Sequence, residues 1–317
     1  MKGAGKTTSC GDKMIKYFQK AFKITNDNII LTTPLVLFLF LLSLYMGVVQ
    51  NAPASLVTSI LLLATILFMV SAFFAGWFYM VKKAVDLDKK EFLADEEKAK
   101  ASFGLLKEIP VGVGEYFFSF IGATILFVGL IFVLLLACYK LGLHFIGNVG
   151  IGIAHLKTAF TSAEAMKTLV SSMTSDQLIK LNAWNILFLA VTSVYSFLTM
   201  FWPAQIIMGT KNPFVALFKS IVALFKKPLS SIVLFLYVSF INFVVSFINA
   251  FATINPILYF VSMLLYFYFV VYVVVLVFLY YDREIQTKEE IFTQSDSDSG
   301  ADSVGQDPDV DKPGEDQ

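Results

Sequence analysis

Ser239, Asn242, Ser246 and Asn249 recur at intervals of three, four and three residues inside a long apolar stretch. On an α-helix this spacing brings them within about 80° of one face. A second apolar stretch carries Asn185, Thr192, Ser196 and Thr199 on one face, followed by Pro203, which predicts a kink. Hydrocarbon offers hydroxyls and amides no hydrogen bonds, so each stripe must bond to a neighbouring helix or line a polar path. In the first case each contact is worth about 0.6 kcal/mol. In the second, Asn242 and Asn249 are the main contacts for a passing substrate. Lines of small residues, Thr58, Thr65, Ala72 and Gly76, and again Ser119, Gly122 and Gly129, point to close helix–helix approach.

Residues for catalysis are scarce. His144 and His155 are the only histidines, with no acidic neighbour before Glu164, whereas zinc needs three or four ligands and hydrolysis needs a nucleophile with a base. Arg283 is the only arginine, so phosphate-gripping guanidinium forks are nearly absent. The stretch Gly5-Lys6-Thr7 matches the end of a phosphate-binding loop, but the first glycine of that pattern would fall before Met1 and no strand precedes it. "DSDSGADS", from Asp296, has Ala301 where a calcium loop needs glycine and Asp307 where it needs glutamate. The expectation is a protein that is not an enzyme, with no cofactor, metal, nucleotide or nucleic acid.

The elements that must position the polar stripes follow from composition. In a chain of 317 residues, 57% are hydrophobic and only 15% charged, with mean hydropathy +0.73. Soluble domains carry about 25% charged residues. A bilayer core about 30 Å thick needs about 20 apolar residues at 1.5 Å each. Six stretches meet that length without an internal Lys, Arg, Asp or Glu: 29–49, 56–81, 116–139, 183–208, 229–251 and 257–281. The fold class expected is an all-α integral membrane protein, six transmembrane helices in three hairpins with cytoplasmic amphipathic interfacial helices. The first stretch has a longer apolar run than a secretory signal and is preceded by 28 residues, which predicts a retained anchor. The turns 50–55 and 252–256 are short, while 140–182 forms a long outer connection in which Ile153, Leu156, Phe160, Ala163 and Val170 suggest an amphipathic helix. Thr174 to Gln177 reads as a capping box opening the fourth span.

Lysine sets the orientation. With the N-terminus inside, the cytoplasmic segments hold 20 Lys and Arg and the outer loops only four. Both termini are therefore expected in the cytoplasm, in a bacterial plasma (inner) membrane. Of the 24 acids, 12 lie from Asp282 onward, and residues 282–317 are expected to be a disordered acidic tail, as are residues 1–12 at the other end. The six-helix membrane domain then runs from 13 to 281.

Two cytoplasmic segments have the pattern of helices that lie on a membrane. In one, Met14, Tyr17, Phe18, Ala21 and Phe22 share a face and Lys13, Lys16, Lys20 and Lys23 another; in the other, Phe214, Leu217, Phe218, Ile221 and Phe225 accompany Lys219, Lys226 and Lys227. Such helices place rings among acyl chains and ammonium groups at anionic headgroups, although a plain positive-inside flank would show the same lysines. "AFKITNDNIIL" (21–31) and "LFKKPLSSIVL" (224–234) align as copies of one unit, with a weaker copy around Leu106-Lys107.

"NPFVALFKSIVALFKKPLSSIVLFL" (212–236), leading from surface helix into span, resembles bacterial multi-pass families of unknown function related to the membrane domain of glycerophosphoryl diester phosphodiesterases, and more distantly Yip-type membrane proteins. The likeness covers 13–281. In those families the hydrolase activity belongs to a separate soluble domain that this sequence lacks, so no catalytic residue carries over. The function expected is a non-catalytic multi-pass protein acting on anionic lipid, a membrane-protein partner or a second copy of itself. The alternative is a transporter or exporter component with its polar path between spans 4 and 5.

Overall fold

The computed structural model describes residues 10–53, 55–92, 94–150, 162–252 and 255–286. Among them lie eleven α-helices and no strand: α1 (Cys10–Asp27), α2 (Thr32–Asn51), α3 (Leu56–Leu87), α4 (Asp95–Gly104), α5 (Glu108–Phe145), α6 (Ala163–Ser172), α7 (Ser175–Thr199), α8 (Trp202–Met208), α9 (Pro213–Lys226), α10 (Pro228–Ala252) and α11 (Pro256–Tyr280). A π-helical segment, Tyr281–Gln286, continues α11. Six stretches, Ile29–Asn51, Leu56–Leu87, Asp95–Phe145, Ser175–Met208, Pro228–Ala252 and Pro256–Gln286, are long and apolar enough to cross a bilayer. The described residues thus form an all-α fold of multi-pass membrane type.

Local chemistry sets where these helices start and stop. Ser55 caps α3 by accepting from the Thr58 N–H at 3.1 Å. Asn212-Pro213 and Asn255-Pro256 open α9 and α11 alike: the asparagine Oδ1 accepts from Phe214 N at 3.0 Å and from Ile257 N at 2.9 Å, while each proline takes the first turn, where no N–H is needed. The capping box is present at α7, with Gln177 N donating to Thr174 Oγ1 at 3.3 Å and Thr174 N to Gln177 Oε1 at 3.0 Å. Pro203 does more than kink the fourth span: α7 ends at Thr199 and a separate short helix begins at Trp202. At the end of α5, Gly147 adopts φ +83°, and its N–H and that of Ile146 both close on the Gly142 carbonyl.

Four expected boundaries move. The second span runs on to Leu87, because 82–87 contain no helix breaker, and the third begins at Glu108, with Pro110 in the first turn, where its missing N–H costs little. Cys10–Asp12 already belong to α1, and Asp282–Gln286, assigned to the tail, are helical. Residues 1–9 and 287–317, and the part of the outer connection at 151–161, lie outside the described residues.

Cross-contacts tie the spans together in pairs. Phe38 stacks on Phe73 at 4.1 Å and the Tyr45 hydroxyl reaches the Leu62 carbonyl, joining α2 to α3. Tyr195 Oη donates to Phe127 O at 2.9 Å, and Trp184 presses on Gly142, joining α7 to α5. Tyr237 and Tyr272 share a hydrogen bond at 3.0 Å between α10 and α11.

The tightest crossing, α3 on α5, depends on Gly76 and Gly112: a Cβ on Gly112 would lie 2.6 Å from Tyr79 Cβ. The buried core gathers at one end of the bundle, where α1, the last turns of α3, the start of α5, α8, α9 and the last turns of α11 meet around Trp77, Phe201, Trp202, Phe278 and Tyr280. Trp77 Nε1 donates to Leu31 O at 2.9 Å, tying α3 to the entry of α2, and Phe201 stacks on Tyr280 at 5.5 Å. Towards the other end the helices carry exposed Phe40, Leu61, Phe132, Ile186, Phe247 and Tyr259. That apolar surface is costly in water and suits acyl chains.

Candidate functional site

Two arrangements bring polar side chains together. The first is the rim of the packed end. On α1, Lys13, Lys16 and Lys23 are exposed, but Lys20 forms an ion pair with Asp88 at 2.7 Å. The ring-bearing face of α1 is largely covered by protein. Met14, Ala21 and Ile24 are buried, Phe18 stacks on Tyr237 at 3.7 Å, and Phe22 meets Tyr268 and Tyr272 edge-on. The expectation that this whole face lies among acyl chains is corrected: α10 and α11 present a matching aromatic surface, and only Ile15 and part of Phe22 stay exposed.

α9 behaves differently. Its small and branched side, Ala216, Leu217, Ser220, Ala223 and Leu224, is buried, while Phe214, Phe218 and Phe225 are 57%, 69% and 67% exposed beside exposed Lys219 and Lys226. Lys227 departs from this group and pairs with Glu284. Tyr17 donates to the same carboxylate at 2.7 Å, so α1, the start of α10 and the π-helical segment converge on one acid. Burial, with the Glu284 carboxylate next in weight, pushes the Tyr17 phenol well above the usual tyrosine range. Lys89 bonds to both Asp86 and Asp282 at 3.0 Å; burial pulls its pKa down, but those two carboxylates outweigh it and the net shift is upward.

Sequence reasoning missed this junction because Asp282 and Glu284 were grouped with the acidic tail. The available signal was their position, directly after an apolar span and facing a segment rich in lysine. A cleft of about 450 Å³ nearby is lined by Lys23, Asp27, Asp88, Lys90, Asp95 and Lys98, with Lys98 bonded to Asp27 at 2.6 Å.

The second arrangement lies within the spans. Thr192, Ser193 and Ser196 of α7 face Ser239 and Asn242 of α10 across a cleft of about 360 Å³, floored by Phe269, Val270, Val273 and Val274 of α11 and bordered by Phe235, Val238 and Tyr266. Four of the eight intramembrane residues singled out above are thus drawn together. The Thr192 hydroxyl is satisfied by Phe188 O at 2.7 Å on its own helix. Among the described residues, Ser193, Ser196, Ser239 and Asn242 have no hydrogen-bond partner. Leaving an amide such as that of Asn242 unpaired in hydrocarbon costs roughly 2–7 kcal/mol. Phe235, at the border of the cleft, meets Phe197 edge-on at 5.3 Å.

The other four residues divide. Asn249 accepts from the buried Ser262 hydroxyl of α11, a helix–helix contact. Thr199 bonds back to Tyr195 O at 2.9 Å. Asn185 and Ser246 are exposed and stand outside the cleft. The sequence stripe therefore serves two purposes, packing at one end and cleft lining in the middle.

Among the described residues no three His, Cys, Asp or Glu side chains lie close enough to share a metal ion. Cys138 is buried and unpaired, and His144 packs edge-on to Phe145. No protein family, curated protein or solved structure matches this chain.

Proposed function

We propose that this chain is a non-catalytic protein of a bacterial plasma membrane, with both termini in the cytoplasm and three helical hairpins, acting through anionic lipid or a membrane partner at its basic rim. The observation that carries this reading is α9: three exposed phenylalanines next to exposed Lys219 and Lys226, on the side of the molecule that also holds Lys13, Lys16 and Lys23. Rings at acyl depth and ammonium groups at phosphate depth are the complement of an anionic leaflet, at about 1 kcal/mol per lysine. The test reconstitutes the full chain with spin-labelled phosphatidylglycerol or phosphatidylcholine and measures the motionally restricted fraction of each. Replacing Lys13, Lys16, Lys23, Lys219 and Lys226 with Gln should erase the preference for phosphatidylglycerol. Preference equal to that of the unaltered chain rejects the reading.

A second reading, a transporter or exporter component, is favoured by one observation: polar residues of the fourth and fifth spans share one cleft. In proteoliposomes flux through it should fall in Asn242→Leu, and flux equal to that of the unaltered protein counts against that path.

A further inference from the structure

We propose that the cleft between α7, α10 and α11 is a lateral binding site for a neutral lipid bearing a hydroxyl or carbonyl group. The proposal concerns the same cleft as the transport reading and names its ligand class, but binding there requires no net transport.

Its lining defines the ligand. The cleft contains no charged side chain, so a phosphate or carboxylate entering it would lose its water with no cation to replace it. Asn242 offers both a donor and an acceptor, and Ser196 and Ser239 add hydroxyls that turn either way. These groups suit an alcohol, ester or ketone. The floor, Phe269, Val270, Val273 and Val274, is purely apolar and suits a hydrocarbon chain lying along α11. A volume of about 360 Å³ is at the small end of ligand pockets, which run from about 300 to 1,000 Å³.

The mouth of the cleft opens sideways. Thr192, Ser196, Ser239 and Asn242 are all exposed on helices that would face hydrocarbon, so the ligand enters from the bilayer. A helix from a partner or a second copy fits less well. Phe240, Phe243 and Phe247 stand exposed along α10 beside the polar stripe, and bulky rings hold off the close backbone approach that intramembrane helix packing needs. A thin, flexible chain with one polar group passes between such rings.

The test places the full chain in phosphatidylcholine nanodiscs doped with a photoactivatable diacylglycerol, and in parallel with a photoactivatable phosphatidic acid carrying the same chains, and maps the labelled peptides. The diacylglycerol should label α7, α10 and α11 around the cleft in preference to the rest of the lipid-facing surface, and the phosphatidic acid should not. Asn242→Leu should lower this labelling about fivefold, the factor for one lost hydrogen bond. Ser196→Phe, which fills the cleft from a second helix, should abolish it.

Uniform labelling over the whole surface, equal labelling by both lipids, or undiminished labelling in both variants overturns the proposal. So does an Asn242→Cys variant that forms a disulfide between two copies while the label is absent, since a second copy would then cover the site. Cleft labelling without flux would reject the transport reading alone, and flux without cleft labelling would reject this one alone.

Discussion

The crossing of α3 and α5 can be tested by adding one methyl group. A Cβ on Gly112 would lie 2.6 Å from Tyr79 Cβ, 2.8 Å from the Ala75 carbonyl oxygen and 3.1 Å from Gly76 Cα. Carbon pairs prefer about 3.5–4.0 Å, so the two helices must part by roughly 1 Å at this point. None of the three opposing atoms can swing aside, because all are backbone or fixed directly to it. Overpacking of this kind costs about 1–3 kcal/mol, set against a gain of up to about 1 kcal/mol for replacing glycine by alanine in a helix. Gly112→Ala should therefore destabilise the protein by about 1–2 kcal/mol. Gly129, on the same helix, has nothing within 4 Å of its would-be Cβ and provides the control. Reversible unfolding of the full chain in mixed micelles, titrated with dodecyl sulfate and followed by tryptophan fluorescence, compares the two. The expected order is Gly112→Ala least stable and Gly129→Ala at or above the unaltered protein. Gly112→Ala unfolding at the same detergent fraction as Gly129→Ala refutes the close packing inferred at this crossing.

Glu284→Gln breaks the pair with Lys227, whose side chains are 24% and 16% exposed for Lys227 and Glu284. Partial exposure brings the expected loss to about 1–3 kcal/mol, below that for a fully buried pair, and Lys227→Met combined with Glu284→Leu should recover part of it in the same titration. The raised pKa of Tyr17 means the folded protein holds that proton more tightly. Its stabilising contribution is complete below the ordinary tyrosine pKa of about 10 and is lost as pH rises towards the folded value. Tyr17→Phe should accordingly flatten the decline of stability above about pH 10, measured by unfolding at stepped alkaline pH. Trp77→Phe removes the donor to Leu31 O from a site where Trp77 is only 2% exposed, and should cost about 1 kcal/mol or more.

The number of spans and their approximate ends could be read directly from the chain, because apolar length against bilayer thickness is a one-dimensional quantity. Local signals were equally legible: the Thr174 capping box and the break in regularity at Pro203 depend on neighbours within a few residues. Periodicity also identified which residues share a face, including Ser239 with Asn242 and Thr192 with Ser196.

What covers each face was decided by tertiary structure alone. The rings of α1 and α9 have the same pattern in sequence, yet Phe18 is stacked on Tyr237 while Phe218 is left exposed. An apolar stripe marks one side of a helix and not what lies against it, so protein and acyl chain satisfy it equally. The same limit separates Asn249, bonded to Ser262, from Asn242, open in a cleft seven residues away. It also hid the meeting of Tyr17, Lys227 and Glu284, which are far apart in the chain and join only when α1 docks against the ends of α10 and α11. Contacts between distant segments depend on how helices pack in three dimensions, and helix-forming tendency, which is local, carries no record of it.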